Sequence, residues 1–125
     1  MLIDSTAFVD LIRNYPPAVV AFEKQLYGQS ISVASKLELI VGLKTKKEIA
    51  SLEKFFTNLS IKVLPIDKDI SDTAEVILTK YYHSHGIGIL DSIIAATALV
   101  YNKELVTRNT KHFSFIPNLK LLKPY

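Results

Sequence analysis

The chain has 125 residues, of which 49% are hydrophobic and none is cysteine. That is enough apolar material for one buried core without disulfides, and it removes thiol redox chemistry, cysteine nucleophiles and cysteine-held zinc, which fits a reducing compartment. Fifteen Lys and Arg against twelve Asp and Glu give a net charge of +3, an excess that permits a polyanionic partner without requiring one.

Residues 1–3 form an apolar run too short for a helix and read as a buried strand, with Asp4 at its end and Ser5 or Thr6 opening a helix to residue 14. This opening has no basic stretch before an apolar run, so neither a signal peptide nor an anchor is expected. No run in the chain approaches the roughly 20 apolar residues of a membrane span, and the expected location is cytoplasmic. Pro16 and Pro17 start a second helix to about residue 27, followed by a strand over 30–33. A helical stretch from about residue 35 carries Glu38 and runs to about 58, with a break near Lys46. Residues 61–66 read as a strand, and Asp67 or Asp69 caps a helix to about 83. The GIGI segment leads into a strongly apolar helix over 91–101, and short strands over 104–107 and 119–122 close the chain. There is no repeat and no linker rich in Gly, Pro or Ser. Strands alternating with helices of this length imply one α/β domain over residues 1–125, with a mostly parallel central sheet covered on both faces.

Asp4, Glu38 and Asp91 stand inside otherwise apolar segments, where a charge is costly unless something compensates its desolvation. Asp4 and Asp91 each have a plain explanation as helix N-caps, worth about 1 kcal/mol, and Glu38 has one as a solvent-facing side chain. Functional groups in open parallel sheets nevertheless collect beyond the carboxyl ends of the strands, where Asp4 and Thr107 fall. On a helical wheel Glu38 shares a face with Ala34, Ser35, Val41 and Gly42, apart from an expected core stripe of Leu37, Ile40 and Leu43. Asp91 shares its face with Ile94, Ala95 and Ala98. If the fold gathers these three acids, they make a site for a metal ion.

The segments LIDST, SKLELIVGL, GIGILDSIIAATAL and LVTRNTKHFSFIPNLKLL follow one another across the whole chain. In this order they resemble the PIN-domain ribonucleases, specifically the VapC-type toxins of toxin–antitoxin pairs. The resemblance implies a three-layer α/β/α PIN-like fold and an endoribonuclease dependent on Mg²⁺ or Mn²⁺, held inactive by a cognate antitoxin; a homodimer is also expected. It assigns Asp4, Glu38 and Asp91 to the metal-binding acids and Thr6 to a supporting position. It also puts Asn109 where the family has a fourth acid. A neutral amide ligates only through its oxygen or orients a water, so one metal ion is expected ahead of two.

Basic residues cluster in KTKKE (44–48) and TRNTKHF (107–113), which reads most simply as solvated surface. For an RNA substrate, Arg108, Lys111 and Lys44, with Lys46 and Lys47, become candidate phosphate contacts. Phe113 and Phe115 are expected to pack in the core rather than stack on bases, and His83 with His85 to form a surface pair rather than a metal site. His112 is expected to approach the cleft. Val19, Val20, Phe22 and Leu26 offer surface for the antitoxin or a second copy, with core burial as the competing explanation. A haloacid-dehalogenase-like phosphatase would need a second Asp where this chain has Thr6. The remaining alternative is a catalytically decayed PIN-fold module that binds RNA or protein.

Overall fold

The computed structural model describes residues 1–125. In chain order the elements are β1 (Leu2–Ile3), α1 (Ser5–Ile12), α2 (Pro16–Ala21), β2 (Ser30–Ser32), α3 (Val33–Gly42), α4 (Lys46–Asn58), β3 (Lys62–Leu64), α5 (Lys68–His85), α6 (Ile89–Val100), β4 (Leu105–Val106) and β5 (Leu121–Leu122). A π-helical turn over Phe22–Leu26 extends α2, and a 3₁₀ turn over Thr110–His112 follows β4. The five strands are all parallel, in the order β3-β2-β1-β4-β5.

Successive strand residues point to opposite faces, and this alternation builds the two halves of the core. Leu2 and Leu105 face the side where Ile70, Ala74 and Ile77 of α5 meet Ile94, Ala95 and Ala98 of α6. Ile3, Ile31 and Val106 face the other side, where α1, α2 and α4 contribute Phe8, Phe22, Leu52 and Phe56. Phe8 anchors that layer, with ring centroids 4.9 Å from Phe22 and 5.2 Å from Phe56. The result is the α/β/α arrangement expected from the alternating pattern.

The long helical stretch after β2 divides in two, α3 and α4, because Thr45 and Glu48 form a T-x-x-E start signal. The Thr45 hydroxyl accepts the Glu48 amide at 3.2 Å and begins a new helix. At the end of α5, Gly86 takes a left-handed φ of 67°, which turns the chain toward α6. Helix α6 begins two residues before Asp91, with Gly88 at its N-cap, so Asp91 lies in the first turn and does not cap the helix.

Two packing expectations are corrected. Leu37, assigned to a core stripe, is 50% exposed, while α3 buries Ala34, Ser35 and Leu39 instead. This rotation follows from α3 packing against both α1 and α6, and it turns the Glu38 side of the helix inward. Phe22 and Leu26 are core residues, so of the four residues proposed as partner surface only Val20 is exposed and Val19 half-buried. Phe113 is fully buried, and Phe115 packs between Tyr81 and His85, the latter stacked at 4.2 Å, so both phenylalanines serve packing. No helix is long and apolar enough to cross a membrane.

Candidate active site

Parallel pairing of β1 with β4 sets Ile3 opposite Val106, so the next residues, Asp4 and Thr107, emerge side by side at the carboxyl edge of the sheet. Asp4 is 5% exposed. Its Oδ1 accepts the Ser5 amide at 2.7 Å as the N-cap of α1, and its Oδ2 accepts the Thr107 hydroxyl at 2.9 Å. Both carboxylate oxygens are therefore oriented. Burial still pushes the Asp4 carboxyl above its ordinary range, against the opposing pull of the Thr107 and Ser5 hydrogen bonds.

Glu38 and Asp91 reach the same place from α3 and α6. Burial pushes the Glu38 carboxyl up to about 7, with the charge of Asp4 and then that of Asp91 adding to it. Asp91 is raised by burial and by Asp4, while His112 opposes the rise. Glu38 thus feels the charge of both Asp4 and Asp91, and Asp91 that of Asp4, which puts the three acids in one electrostatic neighbourhood. The Glu38 Oε1 atom is buried and has no hydrogen-bond partner. An orphaned carboxylate oxygen among like charges is expensive in an apo protein and is what a hard cation would relieve.

The side chains as placed do not gather three acid or imidazole groups tightly enough to enclose a cation. A Mg²⁺ ion held by one or two of these carboxylates would complete its octahedron with waters and substrate phosphate oxygens. The donor set contains only oxygens among its acids, and so the residues fit Mg²⁺ or Mn²⁺ better than a softer metal.

A sequence model of the PIN domain matches residues 1–117. The chain belongs to the PIN-domain family. Among curated relatives, it is 35% identical to Ribonuclease VapC19 of Mycobacterium tuberculosis over 123 residues, covering 95% of this chain and 96% of that one. It is 37% identical to Ribonuclease VapC10 of the same organism, covering 96% and 90%. Among solved structures it resembles a toxin–antitoxin complex from Klebsiella pneumoniae with a TM-score of 0.77 and 30% identity, covering 99% of this chain and 97% of that one. The DNA-bound VapBC of Salmonella typhimurium shares the fold with a TM-score of 0.84 at 24% identity, over 99% and 97% of the two chains.

Within this PIN domain, the other residues singled out in the sequence take distinct places. Thr6 accepts the Arg108 amide on its hydroxyl at 3.3 Å, which ties α1 to the loop after β4; it acts on the loop's position. Asn109 is exposed on that loop, and its backbone amide donates to the Thr107 hydroxyl at 3.0 Å. Its side chain has no hydrogen bond. Arg108 is engaged elsewhere, since its guanidinium donates to Asp10 at 2.8 Å and lies over the rings of Tyr15 and Tyr125. The Tyr125 hydroxyl donates to the same Asp10 oxygen at 2.7 Å. Burial and that bond hold the Tyr125 phenol above its usual range. Arg108 therefore clamps the loop to α1 rather than standing free for phosphate. Lys44 lines the cleft beside Glu38, and Lys111 is exposed on the 3₁₀ turn. His112 does approach the acids, with Nδ1 3.6 Å from an Asp91 oxygen, too long for a hydrogen bond but close enough to offset its charge.

Thr107 and Ser5 were not assigned site roles from the sequence. The signal for Thr107 was available, because residues that follow paired parallel strands at the same register must be neighbours. Thr107→Val is expected to leave Asp4 Oδ2 without its donor and to lower stability by about 1–3 kcal/mol. Thr107→Ser should restore it, and thermal unfolding of the three proteins measures both effects.

Proposed function

We propose that this PIN domain is an endoribonuclease toxin dependent on Mg²⁺ or Mn²⁺, acting in the cytoplasm and restrained by a cognate antitoxin. The observation that carries the reading is the convergence of Asp4, Glu38 and Asp91 at one sheet edge, with a buried Glu38 oxygen left unpartnered. Its likeness to relatives named as VapC ribonucleases, and to a chain of a toxin–antitoxin complex, supports the substrate and the partner.

Asp4, Glu38 and Asp91 would hold the cation, which when bound supplies Lewis-acid polarisation of the scissile phosphate and lowers the pKa of an attacking water. The protein's own residues mainly place charge. The Thr107 and Ser5 bonds fix the Asp4 carboxylate, so it need not reorganise when a ligand arrives. Burial strengthens every interaction of the acids, and His112 at the open edge tempers the charge on Asp91. An antitoxin segment that brought an Arg or Lys among these carboxylates would compensate their charge and exclude the cation. Half-exposed Val19 and Val20 of α2 offer apolar surface for such a partner or for a second copy.

The test is cleavage of structured RNA by the purified protein with Mg²⁺ or Mn²⁺ against EDTA. Cleavage only with metal is expected, whereas tight RNA binding with no cleavage under any condition would leave a non-catalytic module. Asn109→Asp adds a carboxylate on the loop after β4, two residues after the Thr107 that holds Asp4, and is expected to lower the Mg²⁺ concentration for half-maximal stabilisation. Calorimetric metal titration measures it, and an unchanged midpoint removes Asn109 from the site.

A further inference from the structure

The cleft beside Glu38 does not end at the acids. From Glu38 a groove of about 500 Å³ runs along α1 and α3, with Val9, Ile12 and Leu43 in its wall and Arg13 and Lys44 farther out. A second hollow of about 510 Å³ shares Ile12, Arg13 and Glu48 with the first and extends along α4 past Lys47, Lys54 and Phe55. The two adjoin at Ile12, Arg13 and Glu48, and together they reach from Glu38 to α4.

Four cations line this path, and all four are exposed. None is in an ion pair, although Lys36, Lys68 and Arg108 elsewhere in the chain each are. Beyond Glu38 the only carboxylate in the groove is Glu48, and it is turned toward the Thr45 hydroxyl at 3.3 Å. In a chain with a net charge of only +3, four unpaired cations gathered in one groove are a concentrated positive stripe. Phe55 sits half-buried in the same stretch, and aliphatic side chains line the part nearest the acids.

We infer that this groove is the track for single-stranded RNA on one side of the scissile bond, an inference that rests on the nuclease reading above. A phosphodiester held at the acids must continue as a chain bearing one negative charge per nucleotide, and the groove offers cations along its length. Unpaired bases also need apolar or aromatic faces, which Val9, Ile12, Leu43 and Phe55 supply. The track sharpens the choice among the basic residues. It selects Arg13, Lys44, Lys47 and Lys54, and it releases Arg108, which Asp10 holds.

The experiment measures binding of a fluorescein-labelled oligouridylate by anisotropy at several salt concentrations. The protein carries Asp4→Asn, so cleavage does not interfere. Against that background, Arg13→Ala, Lys47→Ala and Lys54→Ala together should weaken binding at least tenfold near physiological salt. They should also reduce the slope of log affinity against log salt by about 2, since each lost single-strand phosphate contact removes about 0.7. Phe55→Ala should weaken binding severalfold with the salt slope unchanged, and Phe55→Tyr, which keeps the ring, should bind as the parent does. In otherwise wild-type protein the triple variant should raise KM for a long RNA with little change in kcat. Unchanged affinity and slope in the triple variant would overturn the track and give the groove to a protein partner. The two readings fail separately: loss of the binding effect with intact metal-dependent cleavage sinks the track alone, and absence of cleavage with the binding effect intact sinks the nuclease alone.

Discussion

Asp4→Asn and Asp91→Asn are each expected to reduce metal-dependent RNA cleavage at least about a hundredfold while leaving the protein folded. Asn keeps the shape of Asp and is an equally good helix cap, so at position 4 its carbonyl can still accept the Ser5 amide. Its amide group can donate to the Thr107 hydroxyl, which reverses that bond without breaking it. What disappears is a negative charge in a desolvated position, and that charge destabilises the apo protein. Unchanged or raised thermal stability is therefore expected together with lost cleavage. This opposition separates a functional acid from a structural one, because a structural acid loses stability when neutralised. Asp91→Asn should behave alike, with a smaller change in stability because Asp91 is less buried and partly offset by His112. The reading fails if either variant cleaves at the wild-type rate in parallel assays at saturating metal.

Much of this site was legible in the sequence, and the parts that were not have physical reasons. Asp4 follows a run that can only be a strand, and Asp91 lies in an apolar segment rich in small residues, so both declared themselves as misplaced charges. Glu38 was harder, because a 10-residue helix with Leu37, Ile40 and Leu43 on one side presents a credible apolar stripe. That helix packs on two neighbours at once, and so the buried face is set by α1 and α6 rather than by its own periodicity. The alternative of Asp91 as an N-cap does not apply, because Gly88 takes that position with no side-chain cap, and sequence patterns do not reward such a cap. The Asp10, Arg108 and Tyr125 cluster was invisible because it joins residues about a hundred positions apart. Arg108 looked like an RNA contact for the same reason, since a basic residue beside the site shows its charge in the sequence but not its partner. The parallel sheet covered on both faces followed from alternating short apolar strands and long helices, whereas the strand order β3-β2-β1-β4-β5 did not, because alternation alone does not say which strands are neighbours.

The apo protein is expected to lose stability as pH rises from about 5 to 8, which is unusual for a protein with paired carboxylates elsewhere. Glu38 titrates near 4.5 when unfolded and near 7 in the folded chain, so between these values the folded state holds a proton that the unfolded state has released. Stability must therefore fall with pH across that window and level off above it. The shift sets a ceiling of about 3 kcal/mol, and screening of a half-exposed side chain reduces the effect to about 1–2 kcal/mol, on the order of 5 °C in Tm. Asp4 and Asp91 are raised in the same direction and add to the slope at its acidic end. Mg²⁺ at a hundred times its Kd should return about 2.7 kcal/mol, and more effectively at pH 8 than at pH 5, because the acids must be deprotonated to ligate. Glu38→Gln removes the charge that burial and its neighbours oppose. That variant should be more stable than wild type at pH 8, show a flatter dependence on pH, and gain less from Mg²⁺. Thermal unfolding of both proteins at pH 5 and 8, with EDTA and with Mg²⁺, contains all of these comparisons. A wild-type Tm that rises from pH 5 to 8 in EDTA would mean that Glu38 is not desolvated, and one that ignores Mg²⁺ at pH 8 would mean that the acids hold no cation. If Glu38→Gln kept the full response to Mg²⁺, the cation would be held by Asp4 and Asp91 without it.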